Sequence, residues 1–190
     1  MGIPERLWSK KTRDWKIAIS ESFHNVNELL AFCGFDQLPA DRTGEHQFTT
    51  RVTRHFASLI EKGNAKDPLL LQVLPTGQEL QQVDGYSKDA VGDQQCMPVP
   101  GLIHKYHGRV LLTVTGACAI HCRYCFRRHF PYAEARLDCE PGGPVMTYLE
   151  EHTEVTEVIL SGGDPLTLND RKLASLIANL NQVAPVSYTH

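Results

Sequence analysis

Apolar residues along the first half of this 190-residue chain recur at helical intervals. This spacing predicts helices over residues 12–20, 27–32 and 53–62. Gly34 and Gly63 follow the second and third of these and are predicted to end them, because glycine is the usual residue just past a helix. The pattern therefore predicts a chain that begins with short amphipathic helices.

A second stretch separates these helices from the rest of the chain. Residues 67–75 form a short apolar run bounded by prolines, and the polar residues 76–95 predict an extended arm or loop. Pro98-Val-Pro-Gly101 then interrupts any regular element. We therefore predict a mainly helical N-terminal lobe over residues 1–100 and a second domain over residues 101–190.

The second domain alternates between strand and helix patterns. Buried strands are predicted over residues 110–115 and 157–160, and a third begins near Pro185. Helices are predicted over residues 145–152 and after a cap at Asn169. Strand, loop and helix units of this length give right-handed parallel crossovers, which predicts an α/β sheet or barrel. In such folds the loops after the carboxyl ends of the strands build the active site.

Composition and charge narrow the possible functions. The chain is 42% hydrophobic and 22% charged, which is ordinary for a globular protein, and it has no apolar run long enough to span a bilayer. Basic residues near the N-terminus have no apolar segment behind them, unlike a secretory signal. The formal net charge of -3 argues against an overall nucleic-acid footprint. We predict a cytoplasmic protein with no membrane or nucleic-acid partner.

Three of the six cysteines are clustered, and they are the most informative residues in the sequence. Cys118, Cys122 and Cys125 stand in C-x3-C-x2-C spacing directly after the first predicted strand. Three thiolates so close together can enclose one metal centre, and because iron–sulfur cubanes normally take four cysteines, one iron would lack a protein ligand. A structural zinc site completed by His121 or His129 is an alternative. Disulfides are a weaker alternative in a reducing compartment.

A second motif, Ser161-Gly-Gly-Asp-Pro165, follows the second predicted strand. Glycine pairs and Asp-Pro are common turn residues, so an ordinary turn is one interpretation. A ligand site is the other, because glycines let the backbone approach a ligand and the Asp164 carboxylate can accept hydrogen bonds from an ammonium group. Both motifs fall in loops after strands, where the predicted fold would place an active site.

The two motifs together resemble those of the radical S-adenosylmethionine superfamily, with Asp164 in place of the glutamate of its Gly-Gly-Glu-Pro type motif. Residues 67–75, 104–112 and 122–132 narrow the resemblance to the lysine 2,3-aminomutase family. The branch that supplies (R)-β-lysine for modification of elongation factor P is the most similar. The resemblance implies a partial (β/α) barrel of the radical S-adenosylmethionine type after the helical lobe. It also implies an isomerase that moves the amino group of lysine from C2 to C3.

The resemblance implies a set of cofactors and the residues that bind them. The cofactors are a 4Fe-4S cluster, S-adenosylmethionine and pyridoxal phosphate, with an electron donor such as a flavodoxin or ferredoxin. The family's cluster ligands match Cys118, Cys122 and Cys125. Its S-adenosylmethionine contacts match Arg127, Ser161, Gly162, Gly163 and Asp164, and basic residues near its pyridoxal phosphate match Lys105 and Arg109.

Part of the family's machinery matches no position of this chain. The imine-forming lysine and the acids that bind the substrate belong to the family's C-terminal half. We therefore expect an N-terminal portion of an aminomutase, which would not turn over lysine alone. Two alternatives remain open: a radical S-adenosylmethionine enzyme without pyridoxal phosphate, and a zinc module that contacts RNA through Arg123, Arg127 and Arg128.

Overall fold

A computed structural model describes residues 15–35, 43–183 and 188–189 of the chain. The chain divides into two compact units, which are treated separately below. The first comprises Met1–Asp84 and Ala119–Cys125, and the second comprises Gly85–Cys118 and Phe126–His190. The predicted domain division at residue 100 stays a prediction.

The first unit is built from short helices, which agrees with the predicted helical character of this part of the chain. They are α1 Trp15–Ser20, α2 Val26–Phe32, α3 Thr43–Gln47, α4 Arg54–Ser58 and α5 Pro68–Val73, followed by a 3₁₀ turn at Gly77–Leu80. Helices α2, α4 and α5 contribute buried side chains to a core, whereas α1 contributes none. The most deeply buried members of this core are Val26, Leu29, Leu30, Val52, Leu70 and Val73. Residues 12–14 of the first predicted helix lie outside the described residues.

The helix predicted over residues 53–62 is shorter than predicted. It ends at Ser58, because the N–H groups of Leu59 and Ile60 donate to carbonyls three residues back instead of four. Gly63 therefore does not cap this helix, and its N–H donates to a carbonyl of a neighbouring turn. The prediction of Gly63 as a helix cap was wrong.

Helix α5 occupies the proline-bounded segment to which no helix or strand was assigned from the sequence. Its N-cap is Asp67, and Pro68 stands in the first turn, where a missing N–H costs nothing. The Asp67 carboxylate accepts hydrogen bonds from the backbone N–H groups of Glu61 at 3.0 Å, Leu69 at 2.8 Å and Leu70 at 3.0 Å. These bonds, led by that from Glu61, lower the pKa of Asp67.

The second unit contains a four-stranded sheet in the order β1-β2-β3-β4. The strands are β1 Leu102–Tyr106, β2 Arg109–Thr115, β3 Glu157–Gly162 and β4 Tyr188–Thr189. β2 pairs with β3 and β3 with β4 in parallel, whereas β1 is antiparallel to β2. Helix α6 Pro144–Glu151 precedes β3, and α7 Asp170–Leu180 follows it after a cap by the Asn169 side chain. The structure is therefore a mixed α/β fold.

Most of the elements predicted for this unit are confirmed. β2, β3, α6 and α7 lie where periodicity and capping predicted them, and β2 and β3 are parallel. The third predicted strand is described only at β4, since residues 185–187 lie outside the described residues. Strand β1 was not predicted. It is joined to β2 by the two-residue turn His107-Gly108, where Gly108 has a φ of 82°, and glycine at the second turn position is common in hairpins of this length.

The core of the second unit fixes the sheet against its helices. Val110 and Leu112 of β2, Val158 of β3, Leu149 of α6 and Leu180 of α7 are all buried within it. Thr115 and Gly162 are register partners at the carboxyl ends of β2 and β3. The two sequence motifs therefore leave the sheet side by side. Among the described residues, every helix is too short or too polar to cross a membrane.

Candidate functional site

Backbone hydrogen bonds join the loops that follow β2 and β3. The N–H of Gly163 donates to the carbonyl of Thr115 at 2.6 Å, and the N–H of Asp164 donates to the carbonyl of Ala117 at 2.7 Å. Ala117 directly precedes Cys118. The Gly-Gly-Asp motif therefore fixes the backbone at the entry to the cysteine loop.

Gly163 is required by this close approach. A Cβ at this position would meet the backbone carbonyl of Ala117 far inside van der Waals contact, and it would also lie 2.9 Å from the carbonyl carbon of Gly116. Both neighbours are backbone atoms, which cannot rotate away as a flexible side chain could. A side chain at residue 163 would therefore push the two loops apart.

Asp164 uses its carboxylate locally. The carboxylate accepts a hydrogen bond from the N–H of Leu166 at 3.0 Å and caps the 3₁₀ turn Pro165–Thr167. The Asp164 carbonyl accepts a hydrogen bond from the Thr167 hydroxyl at 2.7 Å. In this structure the Asp164 side chain therefore stabilises a turn, as the turn interpretation of the motif predicts. The ligand role of Asp164 stays a prediction.

Two of the predicted site residues, Lys105 and Arg127, meet at a carboxylate that the sequence pattern did not single out, and a third, Ser161, contacts Arg127. Asp93, of which only 3% is exposed, accepts hydrogen bonds from Arg127 Nε at 2.8 Å and from Lys105 Nζ at 2.5 Å. Arg127 Nη1 also donates to the Ser161 hydroxyl oxygen at 2.9 Å. Residues predicted to serve S-adenosylmethionine and pyridoxal phosphate are therefore parts of one network in the second unit.

The charge on Asp93 is maintained by its two basic partners. Burial alone would raise the pKa of this carboxyl, but the hydrogen bonds from Lys105 and Arg127 and the charges of these side chains outweigh burial and lower the pKa. Asp93 is therefore ionised at neutral pH. Its two oxygens each accept a bond from a different cation.

A cavity of about 260 Å³ lies beside this network. Its lining includes the cations Lys105, Arg109 and Arg127, the carboxylate of Asp93 and the aromatic rings of Tyr106 and Phe126. Arg109 forms an ion pair with Glu157 at 3.0 Å, but its side chain is 55% exposed, so this pair contributes little stability. Three cations and two aromatic rings in one cavity suit a ring-bearing ligand with an anionic group.

Cys122 and Cys125 lie on the segment Ala119–Cys125 of the first unit, and the arginine between them holds this segment in place. The N–H of Cys125 donates to the carbonyl of Cys122 at 3.0 Å, which closes a turn. Arg123 donates to Glu79 through Nη2 at 2.6 Å and Nε at 3.0 Å, and through Nη1 to the carbonyl of Phe48 at 2.6 Å. Its side chain is only 6% exposed. Arg123 is therefore a structural residue of the cysteine segment.

His121 has its own partners in the first unit. Its Nδ1 lies 2.8 Å from the carbonyl of Thr49, and since a carbonyl only accepts, this nitrogen carries the proton. The ring stacks on Phe48 with the centroids 4.8 Å apart. Burial lowers the pKa of His121 and of His129. A zinc site completed by His121 or His129 stays a prediction.

The arginines of the RNA-contact alternative are mostly committed elsewhere. Arg123 and Arg127 both form ion pairs, with side chains that are 6% and 10% exposed. Side chains buried to this extent do not present their guanidinium groups on the surface, where the phosphate backbone of an RNA would lie. This arrangement disfavours an RNA-binding surface built on these two residues.

The cluster ligands themselves stay a prediction. Cys118 belongs to the second unit, whereas Cys122 and Cys125 belong to the first. Among the described residues, no three His, Cys, Asp or Glu side chains gather into a group that could hold a metal ion, and none of the six cysteines is in a disulfide. Three thiols in one short loop nevertheless suit an iron–sulfur cluster by their chemistry, and the cavity cations suit a phosphate.

Comparisons with known proteins point in one direction. Residues 107–189 match a family described as a 4Fe-4S single cluster domain. The chain is 42% identical over 173 residues to the L-lysine 2,3-aminomutase of Escherichia coli, covering 90% of this chain and 50% of that protein. It is 36% identical over 183 residues to the L-lysine 2,3-aminomutase of Haemophilus influenzae, covering 95% of this chain and 54% of that protein. The chain therefore spans about half the length of these curated relatives.

Proposed function

We propose that this chain, a relative of the lysine 2,3-aminomutases over nearly its whole length, binds a 4Fe-4S cluster and S-adenosylmethionine for an isomerase that acts on lysine. The resemblance to lysine 2,3-aminomutases that the motifs indicated is confirmed by the comparisons. One observation carries the proposal: Gly163 and Asp164 are bonded to the backbone that leads into Cys118, at the carboxyl ends of two parallel strands. Loops at this edge of a parallel sheet build active sites in α/β folds.

The cysteines, the glycine pair and Arg127 have separate proposed tasks. Cys118, Cys122 and Cys125 hold the cluster, and Gly162 and Gly163 let the backbone lie close to S-adenosylmethionine. Arg127, held by Asp93 and by Ser161, binds the carboxylate of S-adenosylmethionine, since a guanidinium pairs well with a carboxylate. When bound, the cluster would supply the electron that cleaves S-adenosylmethionine. The residues of this chain fix these groups in place and keep water out.

The cation-lined cavity supports a second cofactor. We propose that Lys105 and Arg109 bind the phosphate of pyridoxal phosphate and that Tyr106 and Phe126 contact its ring. We also propose that the strands β2, β3 and β4 are the first parallel strands of a (β/α) barrel. The cavity lining supports the proposed cofactor site, and the parallel pairing of the three strands supports the proposed barrel.

The resemblance also suggests where the protein acts. We propose a cytoplasmic enzyme, because the cluster needs thiols that stay reduced. A flavodoxin or ferredoxin would supply the electron, and the β-lysine would serve modification of elongation factor P. Residues 67–75 and 104–112, which resemble that branch of the family, support the last of these proposals.

An anaerobic reconstitution with iron and sulfide tests the proposed function. We expect about four irons and four sulfides per chain, and an electron paramagnetic resonance spectrum of the reduced protein that changes when S-adenosylmethionine is added. Cys118→Ser, Cys122→Ser and Cys125→Ser should each prevent this cluster from forming. Cys96→Ser is the matched control, since it removes a partly exposed cysteine outside the motif, and it should load like the wild type. Stoichiometric zinc without sulfide would overturn the proposal.

A further inference from the structure

Asp93 is the buried centre of the second unit's polar network, although its role is not explained by the motifs. Its two carboxylate oxygens bind different cations, Oδ1 with Lys105 and Oδ2 with Arg127. Lys105 also donates to the carbonyl of Val91, so two acceptors fix its ammonium group. Arg127 is fixed from two sides in the same way, by Asp93 and Ser161.

Asp93 is itself held from behind. Its N–H donates to Asp89 Oδ1 at 2.9 Å, and the N–H of Gln94 donates to Asp89 Oδ2 at 3.0 Å. The carbonyl of Asp93 accepts from the N–H of Cys96 at 3.2 Å, which closes a 3₁₀ turn. The backbone that carries the Asp93 carboxylate is therefore fixed, and the carboxylate in turn holds the side chains of Lys105 and Arg127 in position.

We propose that Asp93 is a positioning residue for two ligands, which aims Arg127 at the carboxylate of S-adenosylmethionine and Lys105 at a phosphate group in the cavity. Both cations line that cavity together with Asp93. The identity of the two ligands in this inference rests on the proposed function. The contacts that define the network do not depend on it.

Two physical effects of Asp93 on anion binding have opposite signs. Its negative charge partly neutralises Lys105 and Arg127, so removing the charge alone would strengthen the attraction of these cations for an anion. Its hydrogen bonds already fix the long side chains of Lys105 and Arg127, so these lose little rotamer freedom when a ligand binds. Without these hydrogen bonds the loss of rotamer freedom would be larger and binding would be weaker. A positioning role therefore predicts that affinity falls when the charge is removed, which electrostatics alone does not predict.

Dissociation constants for two probes in the reconstituted chain test this inference. The probes are S-adenosylmethionine, followed by electron paramagnetic resonance, and inorganic phosphate, followed by calorimetry. We expect Asp93→Asn to weaken the binding of both probes by about tenfold, which corresponds to about 1.4 kcal/mol for each. Asp93→Glu keeps the charge but displaces the carboxylate by one methylene, and we expect it to weaken both probes as well.

Two further variants separate positioning from general damage. Lys105→Met should weaken phosphate binding by about tenfold and leave S-adenosylmethionine within about twofold, because it removes one arm of the network. Asp170→Asn changes an exposed aspartate at the start of α7 and should leave both affinities unchanged. Cluster content, measured in every variant, should stay at the wild-type level.

Three results would overturn the inference. The first is Asp93→Asn binding either probe as tightly as the wild type or more tightly. The second is wild-type affinity for both probes in Asp93→Glu, because charge alone would then suffice. The third is a wild-type chain that binds no phosphate. A wild-type chain that loads a cluster but does not respond to S-adenosylmethionine contradicts the proposed function instead, and phosphate alone then decides the role of Asp93.

Discussion

Two glycines show how the same residue type serves different purposes in this chain. Gly163 lies against the backbone of Gly116 and Ala117, where a Cβ has no room. Gly142 precedes α6, and a Cβ added there would meet nothing within 4 Å. Both occur in pairs of glycines, so the sequence alone does not distinguish them. The two glycines differ only in whether another backbone segment of the protein packs against them, and this contact makes the loop depend on Gly163.

We therefore expect Gly163→Ala to separate the loops after β2 and β3 and to impair S-adenosylmethionine binding. Overpacking of this kind costs about 1–3 kcal/mol in the free energy of unfolding. Gly142→Ala is the control; it adds a Cβ in open space but at a positive φ, which should cost about 1–2 kcal/mol and leave the loops after β2 and β3 in place. Urea unfolding and the spectral response to S-adenosylmethionine measure the two effects. A wild-type spectral response in Gly163→Ala would contradict the proposed importance of the close approach.

At the scale of elements, the sequence predicted those helices and strands whose position is set by local features such as apolar periodicity and capping side chains. β2, β3, α6 and α7 have clear periodicity or a capping side chain, and they lie where they were predicted. β1 and α5 do have local signals, an X-Gly turn and an Asp-Pro cap, but their apolar runs are too short to reveal the element type. The end of α4 depends on hydrogen bonds to carbonyls three residues back, which periodicity does not show.

The candidate site was less predictable than the fold because its contacts are distant in sequence. Arg127 and Asp93 are 34 residues apart, and Arg123 and Glu79 are 44 residues apart. Asp93 has no local pattern that distinguishes it from its neighbours in the polar stretch over residues 76–95. Glu79 belongs to the capping box Thr76-Gly-Gln-Glu79, but that pattern does not predict its ion pair with Arg123. The motifs predicted which basic residues matter, and the structure supplies the acids that hold them.

The cysteine segment Ala119–Cys125 provides a prediction at this scale. Arg123→Met removes one partner of a buried ion pair and leaves Glu79 and the Phe48 carbonyl without its hydrogen bonds, which should lower the free energy of unfolding by about 3–5 kcal/mol. Arg136→Met is the matched control at an exposed arginine and should change stability by about 0.5 kcal/mol or less. Urea unfolding of both variants makes the comparison. Equal stability of the two variants would contradict a structural role for Arg123.

At the scale of the whole molecule, each unit contains a carboxyl with a lowered pKa and a thiol with a raised one. Hydrogen bonds lower the pKa of Asp67 in the first unit, and they outweigh burial at Asp93 in the second. A carboxyl with a lowered pKa stabilises the folded state above its unfolded pKa of 3.8 and loses this effect as the pH falls through the folded value. Burial raises the pKa of the Cys33 and Cys139 thiols, so the folded state should also lose stability in alkali.

Cys139 gives the sharpest test of the alkaline limit. Burial, followed by the charges of Asp138 and Glu140, raises the pKa of this thiol from 9.0 to about 12. Its contribution to stability is complete below pH 9, the unfolded pKa. The contribution is lost as the pH rises toward 12, because only the unfolded state then ionises. The free energy of unfolding should fall by up to about 1.4 kcal/mol per pH unit from this group alone.

Cys139→Ala should remove this slope. Urea unfolding under reducing conditions at several pH values between 8 and 11 gives the difference in free energy between the wild type and the variant. The small cavity left by the substitution adds an offset that does not depend on pH, so the slope of this difference is the result that matters. Cys96→Ala, a change at a partly exposed cysteine of the same unit, controls for the loss of any cysteine. If the difference between wild type and Cys139→Ala stayed constant above pH 9, burial would not be holding this thiol in its neutral form.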